Sequence, residues 1–241
     1  MGALVLFSAC SDSSTPPPQQ APVTPVDQAT AGTIQVQVRF TGKVPPSKEL
    51  SLRSVPACAA AHPGPVYDEA ISVRDGRLAN VVVWIKDGLG DRRFAIPTAP
   101  VTIDQKGCLY APPVAAVMVG QPLQFVNSDP EPHNVHGSPQ IARGWNFIMS
   151  RQGSSRTVYF DKSEVGIPIR CDVHPWMLAH LSVFPHPYFA VTPSDGSVTL
   201  NNVPPGNYVL ATWHRELGTK EQPVTLEPKA SSRVEFTYSA P

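Results

Sequence analysis

The chain has little of what a helical protein or a nucleic-acid binder needs. Its 19 basic and 19 acidic residues cancel, and no basic run with interleaved aromatics occurs, so the electrostatic footprint of nucleic-acid binding is missing. No uninterrupted amphipathic stretch is long enough for a helix, because 28 prolines and 16 glycines punctuate the 241 residues. Between them lie short Val/Ile/Phe-rich runs bounded by Pro, Gly and Asp, the pattern of strands and turns. The expected class is all-β. The length, with 41% hydrophobic residues, suits one large or two small domains. Cysteine is scarce as well, limited to Cys10, Cys58, Cys108 and Cys171.

Residues 1–10, Met-Gly-Ala-Leu-Val-Leu-Phe-Ser-Ala-Cys, look like part of a bacterial lipoprotein signal, with Ser8 and Ala9 leading into Cys10 as the lipidated cysteine. The segment is short and lacks a basic n-region. The plainer alternative is an apolar terminus with an incidental cysteine. Residues 11–30 favour the lipoprotein, being a Pro/Ser/Gln-rich tether with little charge. Extended as polyproline II at about 3.1 Å per residue, some twenty residues would reach roughly 60 Å. The expected location is the periplasm or cell surface, lipid-anchored to a bacterial membrane. In an oxidising compartment Cys58 and Cys108 can pair as a disulfide. That leaves Cys171 unpaired, and an unpaired thiol in an exported chain needs a reason.

Two segments supply one. Pro132-His133-Asn134-Val135-His136 carries one candidate ligand, and Cys171-Asp172-Val173-His174-Pro175-Trp176-Met177 carries three at Cys-x2-His-x2-Met spacing, which suits a tight loop between strands. Two imidazoles, a thiolate and a thioether form a set that accommodates both Cu(I) and Cu(II): two His and a Cys in a trigonal plane, with a long axial Met. His133, Cys171, His174 and Met177 are the expected ligands of one type 1 copper. A lone His or Cys would mean little; the constellation is specific.

These segments resemble the cupredoxins, and among them the amicyanin-like and plastocyanin-like proteins, the short Cys-x2-His-Pro-aromatic-Met loop and the Pro-His-Asn-Val-His stretch being amicyanin-like. The run Val117 to Asn127 is similar to the strand, glycine turn and strand that lead into the first ligand loop. The resemblance covers roughly residues 98–185. It implies the same four ligands, Asn134 as a hydrogen-bonding link between the two ligand loops, and a His174 edge reaching solvent through apolar Pro132, Pro175 and Trp176. Trp176 also reads as a core plug.

Residues 189–213, with Thr192, an Asp195-Gly196 turn, the strand Ser197 to Leu200, Pro204-Pro205-Gly206 and a Tyr208 to Trp213 strand, resemble carboxypeptidase regulatory-like (transthyretin-like) β-sandwich modules. The opening strands of such modules occur only far upstream, at 32–38 and 79–85. The expected division is therefore a discontinuous sandwich from 31–95 and 187–241, with a Greek-key cupredoxin domain, 96–186, inserted between its strands. The alternative is that the N-terminal strands form a separate layer against the cupredoxin.

The remaining histidines read as non-ligands. His136, three residues past His133 on an extended strand, points to the other face. His180 would be axial only if the loop were longer. His62 makes Cys-x3-His with Cys58, but no further cluster completes four ligands. His186 and His214 are expected to pack or hydrogen-bond at the sandwich boundary. Copper enzymes with further metal need additional His ligands, yet the chain has no His-x-His and no His-Cys-His. It is expected to be no enzyme but an electron carrier for a redox protein such as a c-type cytochrome or a respiratory or dehydrogenase complex. Two alternatives remain: a copper-holding or delivery protein, and a surface adhesion or carbohydrate-binding module.

Overall fold

The computed structural model describes residues 22–240. The signal of residues 1–10 with Cys10, and residues 11–21 of the tether, lie outside the described residues. No helix among the described residues is long and apolar enough to cross a membrane.

Strand Gly32–Thr41 alternates strictly, burying Ile34, Val36, Val38 and Phe40 on one side and leaving polar residues on the other, as a sheet with one wet face requires. It pairs antiparallel with Ser197–Val203 and parallel with Ser231–Ser239. The facing sheet runs Phe189–Val191, Val82–Asp87, Gly206–His214, Gly218–Leu226. Strands from both ends of the chain thus share one sandwich. Its core contains Ile34, Val83, Ile85, Leu200, Leu210, Val234 and Tyr238. Val82–Asp87 is apolar without alternation because both of its faces are covered: Val83 and Ile85 point into this core, whereas Val82 and Trp84 belong to a second apolar cluster.

Between these strands the chain forms another sandwich. One sheet runs Trp145–Met149, His133–Gly137, Glu164–Arg170, Leu178–Phe184, Val114–Met118; the other runs Ser155–Val158, Leu123–Asn127, Val101–Gln105, Tyr110–Ala111. Parallel pairing of Leu178–Phe184 with Val114–Met118, and of Val101–Gln105 with Leu123–Asn127, shows that these neighbours are joined by crossovers and not by simple hairpins. Phe125, Phe147, Ile167, Ile169 and Leu181 fill the space between the sheets.

The two sandwiches meet through Val82, Trp84 and Ala211 on one side and Val114 and Phe184 on the other. Phe184 lies 5.3 Å from Trp84 and 5.0 Å from Phe189, centroid to centroid. Gly166, at φ +75°, lets the Trp213 indole approach: a Cβ there would sit 2.5 Å from the ring. One segment departs from the expected division. The loop after Gly32–Thr41 leaves its sandwich, and its Leu50, Leu52, Val55, Cys58 and Val66 pack on the core of the other one. The short helix Pro56–Ala60 presents buried Cys58 to Cys108. Arg215, at the tip of the Gly206–His214 hairpin, pairs with Asp68 and ties down the far end of the same strap.

Candidate metal centre

The Cys171 to Met177 loop is closed by its own backbone. Met177 N donates to His174 O at 2.8 Å, a β-turn with Pro175 in the position whose φ proline pre-sets. Cys171 N donates to Met177 O at 3.3 Å. Opposite, His133 opens strand His133–Gly137, and the fully buried Asn127 pins the preceding loop by donating to Glu131 O and Met149 O, both at 3.0 Å.

These two loops bring together His133, Cys171 and His174, all buried, with their ligand atoms within 4.8 Å of one another. His133 Nδ1 faces His174 Nδ1 at 2.9 Å, and Cys171 Sγ lies 3.8 Å from His174 Nδ1. Both separations fall within the span of two bonds of about 2.0–2.3 Å meeting at one ion. Met177, 1% exposed, is buried in the same core. The donor set fits copper: thiolate and thioether suit Cu(I), and imidazole accepts either state.

The surroundings shift Cys171 and His133 in opposite directions. Burial alone would raise the Cys171 thiol, but His133 and the backbone N–H groups of Asn134, His174 and Val173 outweigh it and hold the thiol below its ordinary value. Burial alone would lower His133; hydrogen bonds with Cys171 and Asp129 outweigh it, and His133 is raised. His174 is lowered by burial and by the neighbouring His133. A metal that replaces the proton between the two Nδ1 atoms therefore meets a thiol eased toward its metal-binding, deprotonated form.

Asn134 bridges the loops. Its N–H donates to Cys171 Sγ at 3.5 Å, its amide donates to Asp172 Oδ2 at 2.7 Å, and its Oδ1 accepts from Asp172 N at 2.5 Å. Two residues have no signal in the sequence. Tyr110 donates its hydroxyl to Asn134 O at 2.7 Å and Arg170 O at 3.1 Å, clamping the two ligand strands, and burial pushes its phenol up, with Cys171 and Asp172 adding to the rise. Asp129 accepts from His133 Nε2 at 2.9 Å.

Cys58 and Cys108 form a disulfide, buried at 0% and 2% exposure. Its sulfurs lie within 4.8 Å of a His174 ring nitrogen, yet as a disulfide they are not thiolate ligands. The strap that carries Cys58 narrows the opening expected at His174, which is only 5% exposed. Trp176 is half-buried, its indole donating to Cys108 O at 3.0 Å, so it plugs more than it displays. Pro132 and Pro175 are exposed, and the larger exposed apolar side chain on this loop is Val173, at 58%.

The other histidines stay outside the cluster. His136 Nδ1 meets Asp172 Oδ1 at 2.9 Å on the surface side of its strand. His62 donates from Nε2 to Gly107 O at 2.7 Å. His180 lies against Trp213, centroids 5.4 Å apart with the rings tilted by 57°, His186 donates from Nε2 to Ile85 O at 2.8 Å, and His214 Nδ1 accepts from Glu216 N at 3.2 Å.

No family model matches the chain, and no curated protein does. Among solved structures, a copper-containing nitrite reductase from Thermus scotoductus is 23% identical over 41% of this chain, with a TM-score of 0.32. This chain spans about a quarter of that one, 25% of its length. A purple cupredoxin from Nitrosopumilus maritimus is 20% identical over 34% of this chain and 98% of its own, TM-score 0.30. A Cu(I) form of an amicyanin mutant is 20% identical over 42% of this chain and 97% of its own, TM-score 0.32.

Proposed function

We propose that the chain is an exported electron carrier with one type 1 copper held by His133, Cys171, His174 and Met177, and that it is not itself an enzyme. The convergence of two Nδ1 atoms and one buried sulfur on a single point supports this reading. Copper supplies a one-electron couple there. The residues around it keep the donor atoms in place whichever state is present: the Pro175 turn fixes His174 against Met177, Asn134 fixes Cys171 against the His133 strand, and Tyr110 locks both strands. Little then rearranges when the charge changes. Exposed Pro132, Pro175 and Val173 give a small apolar contact, suited to the brief encounters of redox partners, which bury under about 1,200 Å². The partner would be a c-type cytochrome or a respiratory or dehydrogenase complex. The buried disulfide agrees with an oxidising compartment, periplasm or cell surface, and Cys10 would carry the lipid anchor.

The near-complete burial of His174 favours a second reading, a copper-holding protein that does not cycle. Loading with Cu(II) separates them. The carrier gives an intense visible thiolate-to-copper band that Cys171→Ser abolishes; a colourless protein that holds only Cu(I) would establish the second reading, and a band that survives Cys171→Ser would remove Cys171 from the site.

A further inference from the structure

Asp129 lies four residues before His133 and is 6% exposed. Its carboxylate accepts three N–H groups: Gly107 N at 2.6 Å, Cys108 N at 2.7 Å and His133 Nε2 at 2.9 Å. Its own N–H donates to Asn127 Oδ1 at 3.0 Å. Gly107 and Cys108 are consecutive residues in the left-handed region, at φ +63° and +55°. Successive N–H groups in such a turn point into one concavity and bind an anion; here the anion is the Asp129 carboxylate. The conformation is strained for Cys108, which has a side chain, and the disulfide to Cys58 anchors it there.

Every partner of this carboxylate is a donor, and a donor hydrogen bond from His133 requires the proton on Nε2. The Nδ1 lone pair is then the one left facing Cys171 and His174. Metal-bound imidazoles are oriented in this way by a carboxylate on the far ring nitrogen. We propose that Asp129 is the positioning residue for His133: it fixes the metal-competent tautomer and places a buried negative charge beside the centre, favouring divalent over monovalent copper. The charge effect rests on the copper reading above; the tautomer does not.

The test uses the full chain, with Asp129→Asn removing the charge and Asp129→Glu keeping it. In metal-free wild-type protein, ¹⁵N-resolved NMR should show the His133 proton on Nε2 and protected from exchange, and Asp129→Asn should lose that protection. A wild-type His133 protonated on Nδ1 alone overturns the proposal without any variant. In copper-loaded protein, chelator competition should show a 10–100-fold loss of Cu(II) affinity in Asp129→Asn, with a smaller loss for Cu(I). Each tenfold excess of the Cu(II) loss raises the reduction potential by about 59 mV. Asp129→Glu should restore most of both. Equal shifts in the two variants would assign the effect to shape and overturn the charge role. If the chain binds no copper, the carrier reading fails while the NMR result still decides the tautomer.

Discussion

Acid should weaken this protein through histidines that the copper centre does not use. His186, 7% exposed beneath Phe184, and His214, 1% exposed against Tyr238, are both pushed down to about 4, chiefly by burial, with Arg215 adding to the fall for His214. The unfolded chain binds these protons near 6.5 and the folded one near 4. Between those values the unfolded state holds more protons, so stability falls as pH falls through about 6.5 and levels off below about 4. The full loss is about 3 kcal/mol per group, and at pH 5 it is already about 2 kcal/mol. Together the two histidines put about 4 kcal/mol at risk at pH 5, a large share of an ordinary 5–15 kcal/mol. His133 is shifted the other way, so the informative quantity is the difference between variant and wild type. Urea unfolding of metal-free protein at pH 8 and pH 5 supplies it. His186→Gln keeps a donor for Ile85 O, and His214→Phe keeps a ring against Tyr238; neither titrates. Each should remove about 2 kcal/mol of the pH 5 loss. A double variant whose stability falls between pH 8 and 5 as steeply as the wild type's would refute the reasoning.

Replacing both Cys58 and Cys108 with Ser opens a loop of 50 residues, and the chain-entropy relation gives a loss of about 4 kcal/mol in denaturant unfolding; an unchanged midpoint would contradict the structural role of the disulfide. Mass mapping of unreduced peptides checks the pairing itself. Phe184→Ala removes the aromatic between Trp84 and Phe189, with an expected cost of about 3–5 kcal/mol, and calorimetry should then resolve separate transitions for the two sandwiches; a single transition at the wild-type temperature would contradict the tight junction.

The strands were legible where one rule governed them. Gly32–Thr41 alternates because one face is wet, and Val82–Asp87 is continuous because it serves two cores, so periodicity read both as strands. The three converging donors stood out because Cys171, His174 and His133 are chemically rare types at characteristic spacing. Asp129 did not, since a single aspartate in a turn-rich loop is common and its meaning comes from N–H groups of residues 107 and 108, brought near only by the fold. The strap was equally hidden. Leu50, Leu52, Val55 and Val66 follow no helical or strand period, so nothing local told which core they would join. Of the two readings open for Trp176 the plug prevails through its bond to Cys108 O, while Val173 stays outside, an outcome that depends on contacts between distant segments.

The carrier role is tested most directly by a potentiometric titration of the copper-loaded full chain, followed by visible absorption. The account predicts an intense thiolate-to-copper band that bleaches in one reversible one-electron step and returns fully on reoxidation, with copper retained throughout. Loss of copper on either reduction or reoxidation, or a loaded protein with no such band, would contradict it.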